Sequence, residues 1–464
     1  MSGLPEGWTN TGLLEIATLL RGVTYTKGDA SDSPFSGSVP VLRANNIQGE
    51  KFDFSDLVHV PRDLVADSQL IRAGDVVVAT SSGSISVVGK AAQARSKIEA
   101  GFGAFCGLLR PSSEVEPRYF GHYFSSAGYR SNVSEMARGV NINNLKREHF
   151  ESLQIPLAPL PEQKRIADKL DTLLARVDAC REHLDRVPAI LKRFRQSVLA
   201  AATSGELTRE WREERKRPLK WDRASFGVTG EVTGGITKNS GRANTSSRCR
   251  YLRVANVYAN NLKLDEIAEI ATTPDEFART RLQSGDVLIV EGNGSIEQIG
   301  RAALWRGEIH ECAHQNHIIR WRTRGYVMPE YALHWLLSPT GRDSLIQSAT
   351  SSAGLHTLSL SKIRSVPISV PPIDEQCEIV KRVEHLLASA KLMEQRFAEA
   401  RACLAQTVPA TLAKAFRGDL VPQDPNDEPA EALLARIAAA RQTAPKGSGA
   451  LPGRRGGGRH AHAD

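Results

Sequence analysis

Ile166, Leu170, Leu173, Val177, Cys180, Leu184 and Val187 alternate in steps of four and three. Ile379, Val383, Leu386, Ala390, Met393, Phe397 and Ala400 repeat those steps 213 residues later. Such a stripe is the a/d seam of a helix laid against another helix. Each stretch opens at a proline-rich approach, "PLAPLPEQ" and "SVPPIDEQ", where Pro followed by an acidic residue suits a first helical turn. From first to last seam residue each helix spans about 33 Å. The matched register predicts that the two helices pair with each other. Pairing of like surfaces about a pseudo-two-fold axis makes them antiparallel. Ahead of each helix, short β-branched runs bounded by Gly, Asp, Asn and Ser ("GDVVVAT", "GDVLIVEG", "HIIRWR") read as strands and turns. Short helices fall at "RYFGHYFSS" and "EYALHWLLS".

The chain is internally duplicated, with an offset near 210 residues. Trp8 of "LPEGW" matches Trp221 of "PLKW", "RGVT" (21–24) matches "GGIT" (234–237), and "VLRANNI" (41–47) matches "YLRVANV" (251–257). "IRAGDVVVATSSGSISVVGKAA" (71–92) matches "LQSGDVLIVEGNGSIEQIGRAA" (282–303), and "PRYFGHYFSS" (117–126) matches "PEYALHWLLS" (329–338). "IPLAPLPEQKRI" (155–166) answers "ISVPPIDEQCEI" (368–379), and "LAAATSGELT" (199–208) answers "LAKAFRGDLV" (412–421). The expected fold class is α+β: two β-rich domains in tandem pseudo-repeat, separated by two long antiparallel coiled-coil-like helices. Residues 426–464 are expected to form an Ala-rich helix and a disordered tail, the latter from its Gly/Arg-rich composition.

Composition narrows the class. A net charge of +8 and a pI near 9.2 fit a polyanionic partner and fit equally a slightly basic soluble protein. Cys106, Cys180, Cys249, Cys312, Cys377 and Cys403 are scattered without a C-x-x-C, which argues for reduced thiols and against a disulfide framework or a zinc ribbon. With no apolar run of about 18 residues and a polar start, the expected location is the cytoplasm, with no membrane partner.

"HECAH" (310–314) is a literal H-E-x-x-H, the zinc-protease pattern. That chemistry needs a helix, so that two imidazoles four residues apart reach one metal. The next residues along the chain, "QNHIIRWR", alternate like a strand, and the matching segment of the first copy, "GFGAFCGLLR", has neither His nor Glu. A metal site is not expected; His310 and Glu311 read as turn residues, and Ile318, Ile319 and Trp321 as core. "GSISVVGKAA" lacks the first Gly and the final Ser/Thr of a phosphate-binding loop, and its counterpart carries Arg301 in place of Lys90. There is no N-P-P-[FY] step and no G-x-S-x-G elbow, which favours binding over catalysis. Two rival readings stand beside DNA binding: a zinc metalloenzyme using His310, Glu311 and His314, and a non-DNA coiled-coil adaptor.

Together, "LPEGW", "PLPEQKRIADKLD", "VPPIDEQCEIVKRVEHLL", "LAAATSGEL" and "LAKAFRGDL" resemble the specificity subunit of Type I restriction–modification systems, to about residue 440. "LKW" and "ATSGELT" depart from the commoner forms of two of these motifs. The resemblance implies that residues 1–158 and 216–370 are target recognition domains, each reading one half of a split double-stranded DNA site. It implies that 159–215 and 371–425 set the gap and dock two modification subunits, which hold S-adenosylmethionine and methylate adenine N6. Restriction subunits would add ATP- and Mg-dependent translocation and cleavage. This chain would be non-catalytic, with no cofactor or metal of its own. A helical separation near 33 Å corresponds to roughly one turn of B-DNA between half-site centres.

Polar, Gly-flanked loops at strand ends supply the candidate DNA contacts. In the first copy these are Thr24, Lys27, Arg43, Asn45, Asn46, Ser81, Ser82, Ser84, Lys90, Asn141, Asn143, Asn144 and Lys146. In the second they are Thr237, Lys238, Asn239, Arg253, Asn256, Asn293, Ser295, Arg301, Gln315, Asn316, His317, Ser351, Ser352 and His356. Positions shared by both copies, such as Arg43/Arg253 and Asn46/Asn256, are expected to be architectural or phosphate-directed. Base readers should differ between copies.

Overall fold

The computed structural model describes residues 3–81, 87–138, 144–238, 247–293, 295, 298–352 and 355–443. The chain divides into two compact units, Met1–Glu182 with Arg401–Asp464, and His183–Ala400.

The principal strands of the first unit are β1 (Thr9–Gly12), β2 (Ala17–Arg21), β3 (Ser38–Leu42), β4 (Val58–Pro61), β5 (Val76–Ala79), β6 (Ala91–Gln93), β7 (Gly101–Phe102), β8 (Cys106–Pro111) and β9 (Gln154–Leu157). They form an antiparallel sheet in the order β2-β8-β5-β6, a three-stranded sheet β4-β3-β7 with a parallel β3/β7 pair, and a closing pair β1-β9. The second unit repeats this with β10 (Asp222–Ser225), β11 (Gly230–Gly234), β12 (Arg248–Leu252), β13 (Ala268–Ala271), β14 (Asp286–Val290), β15 (Ala302–Trp305), β16 (Cys312–His314), β17 (Ile318–Thr323) and β18 (Pro367–Val370). Its sheets run β11-β17-β14-β15, β13-β12-β16 and β10-β18. Even the register is shared: Thr9 faces Leu157 as Asp222 faces Val370.

The repeated motifs mark the joints of this fold. "VVVA" and "DVLIV" are apolar almost throughout because β5 and β14 lie inside their sheets, and every residue of both strands is buried. In the Gly-Asp step of each copy, Gly74 and Gly285 adopt φ of 90° and 93°, a conformation that glycine enters without strain. Each buried Asp then takes two bonds from an arginine, Arg110 to Asp75 at 2.9 and 2.7 Å and Arg322 to Asp286 at 2.6 and 2.8 Å. A Cβ on Gly22 would lie 2.1 Å from the Gly103 carbonyl oxygen, and one on Gly235 2.0 Å from that of His314. "RGVT" and "GGIT" thus need glycine where the chain crosses the strand behind it.

Among the helices that seat and flank these sheets are α1 (Pro117–Tyr123), α2 (Leu160–Ser204), α3 (Pro329–Leu337), α4 (Ile373–Ala415) and α5 (Ala430–Thr443). With 45 and 43 residues, α2 and α4 are each about 65 Å long, roughly twice the seam length expected from the heptads. In the first unit, Ile166, Ala167 and Leu170 at the start of α2 share a core with Leu412 and Ala415 at the end of α4. In the second, Ile379, Val380 and Val383 at the start of α4 share one with Val198, Leu199 and Ala202 at the end of α2. Each pairing joins a beginning to an end, so the two helices run antiparallel.

Along the seam, Ile166, Leu170, Val177, Ile379, Val383 and Ala390 are buried, and Leu173, Leu184, Val187, Leu386 and Phe397 are half-buried. Cys180, Met393 and Ala400 are exposed. A 3.6-residue helix drifts about 20° per heptad against a strict 3.5 repeat, so a straight stripe turns out of contact toward the middle.

The Glu-Gln of "PEQ" and "DEQ" fastens each domain to its helix. Trp8 donates to Glu162 at 2.9 Å and Trp221 to Glu375 at 3.1 Å. The Gln163 amide oxygen accepts from the Glu116 N–H at 3.0 Å, as Gln376 does from Met328 at 2.8 Å. The Ala-rich helix α5 packs Ala430, Leu433 and Ile437 into the first unit's core. Its Arg441 donates to the carbonyls of Leu14 and Ala17 at 2.6 and 3.0 Å.

Candidate functional site

Strand pairing gathers the polar loops at one rim of each four-stranded sheet. In the second unit the registers Gly234↔Ile319, Val290↔Ile318 and Ile289↔Ala302 set four strand ends side by side. Thr237, Lys238 and His317 are exposed there, and Gln315 and Asn316 are half-buried. Asn316 N–H bonds the Ile236 carbonyl at 2.9 Å, tying the turn 315–317 to the chain leaving β11. The short strands Gly292–Asn293, Thr350–Ser352 and Leu355–Thr357 form a ribbon that continues from β14, in which His356 faces Asn293 and Ser351. Ser295 is exposed, and the Arg301 guanidinium stacks over Tyr258, 5.1 Å from the ring centre. Asn239 lies outside the described residues.

The first unit has the same rim. Ser81 bridges to Asn144 where Gly292 faces Thr357 in the second. A cleft of about 330 Å³ beside it is lined by Arg21, Thr24, Thr80, Ala104, Asn144 and Arg147, among others. Lys27, Asn144 and Lys146 are exposed, Lys90 is half-buried, and Lys146 pairs with Glu148 at 3.5 Å. Ser82, Ser84, Asn141 and Asn143 lie outside the described residues.

Five further candidates are engaged locally. Arg43 and the exposed Asn45 both donate to the Asp56 carboxylate at 2.8 Å, and Arg253 stands 3.6 Å from Glu266. The other two, Asn46 and Asn256, are held within their own loops, the architectural arrangement expected of positions shared by both copies. Both are buried, and each amide accepts its arginine's N–H at 2.8 Å (Arg43, Arg253). Each also donates to two loop carbonyls, Asp53 and Asp56 in one copy and Lys263 and Glu266 in the other. They close a loop, with both amide protons donated and the oxygen accepting one bond inside it.

Selecting polar loop residues passes over Phe105 and Glu291. Phe105 stands at the rim position of His317, and Glu291 accepts from His317 Nδ1 at 2.9 Å. The repeat alignment could have flagged both, because each occupies a position where the two copies differ in chemistry.

The H-E-x-x-H segment has strand geometry. His310 and Glu311 form a turn, with Glu311 at φ 55°, and Cys312–His314 pair in parallel with β12. His314 is fully buried with Nδ1 facing the Thr280 carbonyl at 3.0 Å, while His310 and Glu311 are exposed at the turn. The three side chains therefore have no common point, and the metalloenzyme reading is set aside. Purified protein is expected to carry well under one zinc per chain by atomic emission; a stoichiometric metal would reverse this.

Burial, reinforced by the Arg320 charge, pushes His314 down to about 3, and burial pushes His334 down to about 4, with the Arg306 charge adding to it. Both are neutral in the folded state and titrate near 6.5 when unfolded. Their contribution to stability is complete above about pH 6.5. It is lost as pH falls, by up to about 1.4 kcal/mol per pH unit for each histidine until its folded value is reached. Trp211, Trp221, Trp305, Trp321 and Trp335 all lie in the second unit and Trp8 in the first. Tryptophan-detected urea unfolding should thus show the second unit weakening between pH 6.5 and 5, and His334→Gln should flatten that slope.

Residues 5–187 match the Type I restriction modification DNA specificity domain family. The specificity subunit of Type I restriction enzyme EcoKI from Escherichia coli (strain K12) is 38% identical over 448 residues, covering 94% of this chain and 96% of that subunit. The StySPI specificity subunit from Salmonella potsdam is also 38% identical, with the same coverage. In fold, the chain is similar to the HsdS subunit from Thermoanaerobacter tengcongensis, with a TM-score of 0.60 at 20% identity over 90% of this chain and 98% of that one. A chain from a structure of Type I R-M complex assembly gives a TM-score of 0.65, also at 20% identity, over 90% of this chain and 100% of that one. With 38% identity to curated specificity subunits over nearly the full length of both chains, this protein belongs to the family of Type I restriction–modification specificity subunits.

Proposed function

We propose that the chain is the non-catalytic DNA-reading subunit of a Type I restriction–modification complex. Residues 1–158 and 216–370 each read one half of an asymmetric, interrupted duplex site. The helical regions 159–215 and 371–425 set the gap and dock two modification subunits. S-adenosylmethionine belongs to those subunits, and ATP and Mg to the restriction subunits.

The observation that carries this reading is the duplicated rim. Two domains with the same strand order and register present equivalent loops whose exposed side chains differ. A shared scaffold with unlike tips suits two unlike half-sites, with Lys and Arg giving affinity and the tips giving sequence. Among the described residues no helix is long and apolar enough to cross a membrane.

The test is duplex binding by the chain assembled with its modification subunits, measured by fluorescence anisotropy across a salt series. If six or more phosphates are contacted, affinity should fall about a thousandfold or more between about 50 and 200 mM salt. Binding that ignores both salt and sequence would favour the protein-adaptor reading instead.

A further inference from the structure

The turn joining β7 to β8 and the turn joining β16 to β17 are the same backbone object. Gly103 N–H bonds the Leu42 carbonyl at 2.8 Å, as Gln315 bonds Leu252 at 2.9 Å. Cys106 N–H returns to the Gly103 carbonyl and Ile318 N–H to that of Gln315, both at 2.9 Å. Thr80 N–H bonds the Phe105 carbonyl at 2.9 Å, and Glu291 N–H bonds that of His317 at 3.0 Å. Gly103-Ala104-Phe105 and Gln315-Asn316-His317 thus correspond in these three bonds, each held against a central strand end.

Their side chains do not correspond. Phe105 is 68% exposed, the second most exposed large hydrophobic residue described. An aromatic ring left in water at the tip of a rigid turn contributes nothing to the core beneath it. Its counterpart His317 is also exposed, and its Nδ1 meets the Glu291 carboxylate at 2.9 Å. A carboxylate only accepts, so Nδ1 carries a proton; when the ring is uncharged, Nε2 is then an acceptor. Position 291 is Thr80 in the first copy, so the first turn has no such anchor.

We infer that these two turns are specificity-determining elements of the two half-sites. Phe105 makes the apolar contact to a thymine C5-methyl group in one half, and His317, oriented by Glu291, accepts from the exocyclic amino group of an adenine or cytosine in the other. The major groove displays both features, and a phenyl ring and an imidazole acceptor each suit only one of them. Glu291 is a positioning residue: it selects the tautomer and does not itself touch the base. The inference rests on the proposed DNA reading and names the residues that carry it.

The test uses the full chain assembled with its modification subunits and a library of duplexes with each half-site position varied. Phe105→Ala should lower discrimination about five- to hundredfold at one base of one half-site, leaving the other half unchanged. Uracil in place of thymine at that base, read by the unaltered protein, should reproduce the loss. His317→Ala and Glu291→Ala should both relax the same single base in the other half-site. Thermal melting should not move, since Phe105 and His317 are exposed. Variants that discriminate every base as the parent does overturn the inference, as does a uniform loss across all sequences. Failure of the parent complex to prefer any sequence would instead overturn the DNA reading itself.

Discussion

Replacing Arg212 by Ala should cost the second unit about 3–5 kcal/mol, the usual penalty for stranding one partner of a buried ion pair. Arg212 and Glu375 are 6% and 2% exposed. The guanidinium donates to the Glu375 carboxylate, to Thr208 Oγ1 at 2.9 Å and to the Gly205 carbonyl at 2.6 Å. Trp221 donates to the other carboxylate oxygen at 3.1 Å, so one removal unsettles the helix end, the helix start and the domain above them.

The pseudo-equivalent site supplies the control. Glu162 receives Trp8 in the same way, but among the described residues its Oε1 has no hydrogen-bond partner. Burial holds its carboxyl above the usual carboxylate range. A carboxyl raised in this way favours folding below its unfolded value and loses that contribution as pH rises through the folded one. At pH 7 the first unit therefore bears a desolvation cost. Glu162→Gln removes the charge and keeps an acceptor for Trp8, so its effect should be neutral or stabilising, whereas Glu375→Gln should destabilise. Urea titrations at pH 7 compare the variants, using tryptophan emission for the second unit and native-state hydrogen exchange for the first. An Arg212→Ala cost below about 1 kcal/mol would show that the network is dispensable.

Exchanging residues 1–158 for the corresponding part of another specificity subunit should change one half of the methylated site and leave the other half and the gap unaltered. The expectation is physical as well as familial. β1 and β9 pair over Thr9–Gly12 and Gln154–Leu157, so the exchanged segment starts and finishes at adjacent points. Within the first unit the joint is broad, with Arg95, Arg118 and His122 all reaching Asp171 on α2 and Arg441 of α5 reaching Leu14 and Ala17. Trp8 reaches Glu162, the Glu116 N–H reaches Gln163, and Tyr119 stacks on Phe416 with ring centres 5.2 Å apart. A donor segment must keep those contacts, or the chimera will lose its seat on α2 before specificity can be read. Mapping methylated adenines in cells carrying the chimera gives both halves and their spacing. A change in both halves, or in the gap, would mean that the domains do not read independently.

The division between what was legible and what was not follows from the range of the forces involved. Helix seams, Gly-Asp turns and buried strands are local patterns repeated twice, so the sequence alone determined the duplication, the α+β class and the two long helices. It also explained "HECAH" without a metal, because periodicity of two in "HIIRWR" ruled out the helix that two ligands need. The lengths of α2 and α4, and the loss of the stripe at Cys180, Met393 and Ala400, depend on how two helices drift past each other, which no heptad count contains. Asn46 and Asn256 stood among the contact candidates and also among the expected architectural positions, because an amide in a loop is the same letter whether it faces solvent or closes a turn. Phe105 was invisible for the opposite reason: an apolar letter is the same in a core and on a rim, and only the turn bonded to Leu42 and Thr80 holds it out into water. Local pattern decides which elements form. Long-range backbone pairing decides which side chains are left free to meet a partner.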